Sequence, residues 1–210
     1  MKAGDVHVKQ QAGENEIEFW FEFASNYSYL SVMRIEKLAQ NYGVRVSWQP
    51  FLLGPIFQSF GWNNSPFILQ KEKGEYVWKD MARQCRKYGL PWKVPSQFPR
   101  LSVLAQRVML VAASTPWEAE FARLVMLLNF GHDREINSKE EIGRILEGLG
   151  QPAEDILARA ATEEIKNRLR RQTETARTRK VFGAPTFFVC GQMFWGNDRL
   201  EDALDFAASR

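Results

Sequence analysis

Hydrophobic and polar positions are patterned most clearly at the two ends of the chain. Ile17-Glu18-Phe19-Trp20-Phe21-Glu22-Phe23 reads as a strand, with Phe19, Phe21 and Phe23 sharing one face. A short polar link, Ala24-Ser25-Asn26-Tyr27, then leads into a helix. Its apolar residues Leu30, Met33, Leu38 and Ala39, with Ile35 between them, recur at near-helical spacing as far as Tyr42-Gly43, where glycine suits a C-terminal cap. Val44-Arg45-Val46-Ser47-Trp48 alternates again and predicts a second strand, ended by Pro50. A strand, helix and strand so closely spaced imply two parallel strands joined by a crossover.

The middle of the chain has the helical period instead. From about Pro66 to Glu174 it is helix-rich, with stops at Gly89-Leu90-Pro91, Pro116 and Gly150-Gln151-Pro152. Segments 102–115, 117–130, 139–148 and 153–175 are each predicted as helices. Strand chemistry returns at Thr186-Phe187-Phe188-Val189-Cys190 and Gln192-Met193-Phe194-Trp195, with Gly191 between them predicting a hairpin. Leu200–Ala207 closes the chain as a helix. This order, βαβ, a helical block, then ββα, is the pattern of an α/β thioredoxin-like fold with a large all-helical insertion. The expected division is a polar leader over 1–15, a thioredoxin-like domain from 16–65 and 176–210, and a helical insertion over 66–175.

Composition narrows the function classes. At 210 residues, with 45% hydrophobic and 25% charged residues, the chain is an ordinary globular one. It can bury roughly 70% of its unfolded surface without a metal or disulfide staple. There is no apolar run long enough for a membrane span and no signal-peptide core after Met1, so the expectation is a cytoplasmic protein without membrane partners. Cys85 and Cys190 lie 105 positions apart, which suits two buried or half-buried thiols in a reducing compartment rather than a redox pair. His7 and His132 are the two histidines, which leaves little room for histidine acid–base chemistry or a metal site. A net charge of +3 is small. The basic stretch Lys166, Arg168, Arg170, Arg171, Arg177, Arg179 and Lys180 lacks interleaved aromatics, so it reads as a solvated helix face and not a nucleic-acid surface.

Three segments carry candidate chemistry. In a thioredoxin-like frame the link after the first strand holds the reactive pair, and here it is Ser25-Asn26-Tyr27-Ser28. Hydroxyls in place of thiols remove disulfide chemistry. Ser25 can cap the helix, and it can donate a hydrogen bond to the thiolate of a bound molecule, whose acidity the helix N-terminus would favour. Gly183-Ala184-Pro185-Thr186 precedes a strand, and a cis proline there would present the backbone of Ala184 to an extended thiol peptide. In Trp195-Gly196-Asn197-Asp198-Arg199-Leu200-Glu201, Asp198 and Glu201 have capping-box spacing. The same turn offers N–H groups and a carboxylate to the amino-acid end of glutathione.

Thr178-Arg179-Lys180-Val181-Phe182-Gly183-Ala184-Pro185-Thr186, followed by Trp195-Gly196-Asn197-Asp198-Arg199-Leu200, resembles the 2-hydroxychromene-2-carboxylate isomerase family. That family is kin to kappa-class glutathione transferases and, more remotely, to DsbA. The likeness extends through Ser25-Asn26-Tyr27-Ser28-Tyr29-Leu30, Pro50-Phe51-Leu52-Leu53-Gly54 and Gly61-Trp62-Asn63-Asn64-Ser65-Pro66. It implies glutathione as cofactor, with its sulfur at Ser25, its cysteinyl backbone on Ala184 before Pro185, and its γ-glutamyl end against Trp195, Gly196, Asn197 and Asp198. It implies a substrate pocket shared with the insertion, with Asn64, Ser65, Arg83, Arg100 and Trp62 as candidates and Phe57 and Tyr88 as further aromatic walls. Two departures stand out. Asn26 follows the site serine where members often have proline, and Ile56-Phe57-Gln58 lacks a lysine that several members carry. The implied activity is glutathione-dependent cis–trans isomerisation of a 2-hydroxychromene-2-carboxylate-type aromatic acid to a trans-o-hydroxybenzylidenepyruvate, by a homodimer in aromatic catabolism. The alternatives are a kappa-like glutathione transferase or peroxidase, and a redox-inactive thioredoxin-like module that binds peptides.

Overall fold

A computed structural model describes residues 15–209. The polar leader expected over 1–15 therefore lies, Asn15 apart, outside the described residues. The chain opens with β1 (Glu16–Phe21), α1 (Asn26–Val32), α2 (Ile35–Tyr42) and β2 (Arg45–Pro50). Helices follow: α3 (Leu53–Ser59), α4 (Pro66–Leu69), α5 (Lys71–Tyr88), α6 (Val103–Ala112), α7 (Glu118–Met126), α8 (Lys139–Gly148), α9 (Ala153–Ala160) and α10 (Glu163–Thr178). The hairpin β3 (Thr186–Val189) and β4 (Gln192–Trp195), a 3-10 turn over Asn197–Arg199 and α11 (Leu200–Ala208) complete it.

The four strands form one sheet in the order β2-β1-β3-β4. β1 and β2 are parallel, with Phe19 opposite Trp48, whereas β3 runs antiparallel to both β1 and β4. Alternation along β1 sorts its aromatics as the sequence predicts. Phe19, Phe21 and, just beyond the strand, Phe23 enter the main core, where Phe19 stacks on Phe187 with ring centroids 5.2 Å apart. Trp20 points to the opposite face and packs with Phe51, Ile56, Val181 and Phe188 in a second, smaller cluster. The thioredoxin-like fold expected from the element order is thus the one observed.

Several element boundaries differ from expectation, for local reasons. The helix predicted through Tyr42 is two helices, broken where Arg34 leaves helical geometry and its N–H bonds to Ser31 only three residues back. Pro50 belongs to β2 instead of ending it, because β2 is an edge strand on which one missing N–H costs no ladder bond. Segment 153–175 is likewise split, at Thr162, whose hydroxyl caps α10 by accepting from the Ile165 N–H at 3.4 Å. Segment 117–130 becomes α7 plus a π-helical turn over Leu127–Gly131. The leucine- and proline-bearing stretch Leu53–Ser59 forms α3, which the sequence reading did not assign.

The two cysteines part company. Cys85 is buried, and burial pushes its thiol up to about 12. Cys190, expected to be at least half-buried, is exposed, because with Gly191 it forms the positive-φ tip of the β3–β4 hairpin. On α10 several basic residues have partners within the protein. Lys166 pairs with Glu163, Arg177 with Glu174, and Arg168 donates to the Leu110 carbonyl at 2.9 Å. Arg179 just beyond it is no solvated residue: it pairs with Glu18 and lies 3.8 Å over the Phe188 ring. Among the described residues, no helix is long and apolar enough to cross a membrane.

Candidate active site

The end of β1, the approach to β3 and the turn after β4 converge on one cleft of about 1160 Å³, whose far wall is built by α3, α4 and α5. This exceeds the roughly 300–1,000 Å³ that one drug-sized ligand occupies, so there is room for two small molecules side by side. Ser25, Ala184, Pro185, Trp195, Gly196, Asn197 and Asp198 line it, together with Trp62, Asn64, Ser65, Phe57 and Tyr88.

Ser25 sits at the centre. It is the N-cap of α1, with extended backbone, and its Oγ accepts from the Ser28 N–H at 3.2 Å. The same hydroxyl donates to the Ala184 carbonyl at 2.8 Å, which joins residues 159 apart in sequence. The Ala184–Pro185 peptide is cis, as expected. The cap expected of Ser25 and the contact to Ala184 thus fall on one oxygen.

The turn after β4 is tied to this proline, the Gly196 N–H donating to the Pro185 carbonyl at 3.0 Å. Gly196 has φ 110, and a Cβ there would lie 2.5 Å from Asp198 Oδ1, so only glycine fits. Asn197 is buried, and its Oδ1 accepts from Ser31 Oγ at 3.1 Å and from an Arg34 nitrogen at 3.2 Å. A guanidinium can only donate, so the amide oxygen must be the end that faces Arg34. Arg34 also pairs with Glu201 and lies 3.9 Å over the Tyr88 ring, bridging α2, α5 and α11. The capping box expected from Asp198 and Glu201 does not form. Arg199 is the N-cap of α11 without a side-chain bond, while Asp198 pairs with Arg199 and Glu201 with Arg34.

On the opposite wall, Ser65 caps α4 by accepting from the Phe67 N–H at 3.3 Å, and Asn64 Oδ1 accepts from the Ser65 N–H at 2.8 Å. Trp62 leans on Phe57, and Phe67 on Phe98. Two expected residues are not in the cleft. Arg83 is not among the residues that line the cleft: at the edge of the α5 stripe, it is paired with the lining residue Asp80 and lies over the Tyr76 ring. Arg100 is buried elsewhere, held by Asn129 and Ser96 and paired with Asp133 at 2.5 Å. This pairing keeps the Asp133 carboxyl down at about 2.

To Tyr88, expected as an aromatic wall, the structure adds residues not singled out from the sequence. Lys73, Val77, Asp80, Gln84 and Tyr88 line the cleft from α5 at positions i, i+4, i+7, i+11 and i+15, a helical stripe detectable in the sequence. Tyr27 donates to Asp80 Oδ2 at 2.9 Å, and burial, with that carboxylate beside it, raises its phenol. Glu22, whose carbonyl accepts from the Ser25 N–H, is buried at the cleft lining. Its Oε1 accepts from Ser102 Oγ and from the Ala24 N–H, and burial raises its carboxyl above the ordinary range. Asn26 is buried beside it, with neither end of its amide bonded to protein.

Comparison with known proteins finds relatives over nearly the whole chain. The model of the DSBA-like thioredoxin domain matches residues 16–207. The chain is 28% identical over 187 residues to 2-hydroxychromene-2-carboxylate isomerase of Pseudomonas putida, covering 88% of this chain and 90% of that protein. It is 25% identical over 199 residues to glutathione S-transferase kappa 1 of Rattus norvegicus, covering 88% and 87%. Among solved structures, a 2-hydroxychromene-2-carboxylate isomerase superposes with a TM-score of 0.83 at 28% identity, over 93% of this chain and 95% of that one.

Proposed function

The chain belongs to the DSBA-like thioredoxin domain family, and from that premise we propose that it is a glutathione-dependent cis–trans isomerase of a 2-hydroxychromene-2-carboxylate-type aromatic acid. The observation that carries the reading is the Ser25 hydroxyl, 2.8 Å from the Ala184 carbonyl at the cis Pro185, in a cleft whose lining includes no cysteine. Dithiol exchange has no reagent there, since Cys85 is buried on α5 and Cys190 lies at the hairpin tip. Similarity to isomerases and kappa transferases supports a borrowed thiol.

The cleft residues fit glutathione. Gly183 and Gly196 keep open a cradle that a Cβ would fill, and the Asn197 amide nitrogen is left as a donor once its oxygen is taken by Ser31 and Arg34. Ser25 would hold the sulfur, Ala184 the cysteinyl backbone, and Asn197 and Asp198 the γ-glutamyl end. When bound, glutathione supplies a thiolate that adds reversibly to the conjugated double bond and leaves unchanged after the bond has turned. α1 has only seven residues, so the charge on sulfur rests on donated hydrogen bonds more than on a helix dipole. Arg83 and Arg100 do not line the cleft and Lys87 lies 5.0 Å from the Tyr88 ring centroid, so Lys73 is the cation we assign to the substrate carboxylate. It lines the cavity 6.0 Å from the Phe67 ring centroid, whereas Arg199 is committed to Asp198 and Asp202. Trp62, Phe57 and Phe98 supply apolar walls for the aromatic ring.

The test is to follow a chromene acid spectroscopically with catalytic glutathione. Isomerisation with glutathione conserved supports the reading. Stoichiometric consumption of glutathione indicates a kappa-like transferase, and no conversion at all refutes both.

A further inference from the structure

The resting state of Ser25 presents a difficulty for any role at a bound sulfur. A serine hydroxyl has one proton and two lone pairs. The Ala184 carbonyl can only accept, so the 2.8 Å contact spends the proton. The Ser28 N–H can only donate, so the 3.2 Å contact spends a lone pair. As it stands, Ser25 has no donor left for a ligand, and its 7% exposure leaves little space for water to replace what it gives Ala184. Breaking the bond without a substitute would orphan a half-buried carbonyl.

We propose that Ser25 is latched onto the Ala184 carbonyl until the peptide N–H of an incoming thiol peptide takes that carbonyl over, so that the site activates peptidyl thiols and leaves simple thiols inert. The proposal rests on the glutathione reading above and adds to it which feature of the thiol is recognised. The exchange conserves hydrogen bonds at Ala184: a serine O–H leaves the carbonyl and an amide N–H replaces it. The freed hydroxyl turns to the sulfur, whose proton goes to solvent, while Ser28 continues to hold Oγ in place. A thiol without the N–H can offer no replacement donor. Backbone recognition and thiol activation are then one event, carried out by two groups 159 residues apart.

The test uses wild-type protein with glutathione and with its depsipeptide analogue, in which an ester oxygen replaces the γ-glutamyl–cysteine N–H. Binding is measured by calorimetry and ionisation by the ultraviolet thiolate band at equal occupancy. Glutathione should give the band. The analogue should bind within about tenfold, the cost of one neutral hydrogen bond. It should show a thiolate fraction lower by about tenfold or more, the loss of a charge-assisted one. Equal bands would overturn the latch and leave the glutathione reading standing. Failure of the analogue to bind would overturn it too, because the N–H would then serve docking and not release. If glutathione binds but shows no band, the glutathione reading itself falls. Ser25→Ala supplies a second arm: both ligands should bind and neither should ionise, whereas a thiolate band in that variant would overturn the latch.

Discussion

Gly183 and Gly74 set the same steric problem in two places, and adding a methyl group to each should give opposite results. A Cβ on Gly183 would lie 2.4 Å from Nε1 of Trp195, and one on Gly74 would lie 2.2 Å from the carbonyl oxygen of Phe67. Both overlaps fall short of ordinary contact by about 1 Å or more. What differs is the neighbour. Trp195 is 52% exposed at the cleft rim and touches Phe182 with ring centroids 4.8 Å apart, so the indole can swing outward. The Phe67 carbonyl is backbone, wedged where α4 lies across α5, and cannot move unless the two helices separate. Gly183→Ala also gains roughly 0.4–1 kcal/mol from a stiffer unfolded chain, which offsets a comparable cost of moving the side chain. Its stability should therefore stay within about 1 kcal/mol of wild type, while the displaced indole opens one side of the cradle and weakens glutathione binding by about tenfold, or 1.4 kcal/mol. Gly74→Ala gains about 1 kcal/mol of helix propensity but should lose roughly 1–3 kcal/mol net from overpacking. Urea midpoints and calorimetric titration with glutathione separate the two. A Gly183→Ala protein that binds glutathione as wild type does, or one that loses several kcal/mol of stability, would refute the assignment of Trp195 as a movable wall of the site.

Arg100→Ala should cost about 1–3 kcal/mol, because it leaves the buried Asn129 oxygen without its donor, yet leave glutathione affinity unchanged; weakened binding in a folded variant would return Arg100 to the cleft. Arg34→Ala should weaken glutathione about tenfold by freeing the Asn197 amide to flip, and should have no further effect in an Asn197→Ala background, where additive losses would show that Arg34 acts by another route. Lys73→Ala should raise KM for the aromatic acid with kcat and glutathione affinity kept, and an unchanged KM would remove Lys73 as the carboxylate partner. Glu22 titrates higher folded than unfolded, so its contribution is fully present below the ordinary value of 4.5 and is lost as pH rises toward the raised folded value. Glu22→Gln should remove this slope from urea midpoints measured between acid and neutral pH, and an unaltered slope would refute the assignment.

Legibility in the sequence followed the range of the interactions. The sheet could be read because alternation is local: Phe19, Phe21 and Phe23 declare one face without reference to anything distant. Ser25 and Ala184-Pro185 could be placed because a cap and a proline bond are also local devices. What failed was long-range choice of partner. Arg34 breaks a helix that its neighbours in sequence would continue, and its side chain is taken up by Asn197, Glu201 and Tyr88, each more than fifty positions away. Glu201 has capping-box spacing from Asp198, but the half-buried Arg34 guanidinium outcompetes an N–H at a solvated helix start. Arg83 and Arg100 show the same limit, since which arginine faces a cavity depends on helix phase and tertiary partners, not on residue type.

The Ala184 carbonyl is positioned largely by the smaller apolar cluster, whose Leu53 and Phe57 also line the cleft. Val181 packs with Trp20, Phe51 and Phe188 there, Ala184 rests against the same cluster, and Arg179 is fixed by Glu18 and the Phe188 ring. The segment from Arg179 to Pro185 is thereby anchored before it turns into β3. The hydrogen bond from Ser25 then adds no freedom of its own: it spans two rigid supports, the cap of α1 and a strand entrance pinned by that cluster. A bond held in this way is easy to exchange and hard to stretch. That suits the proposed exchange, in which the Ser25 hydroxyl would release one acceptor and take up another without moving the backbone.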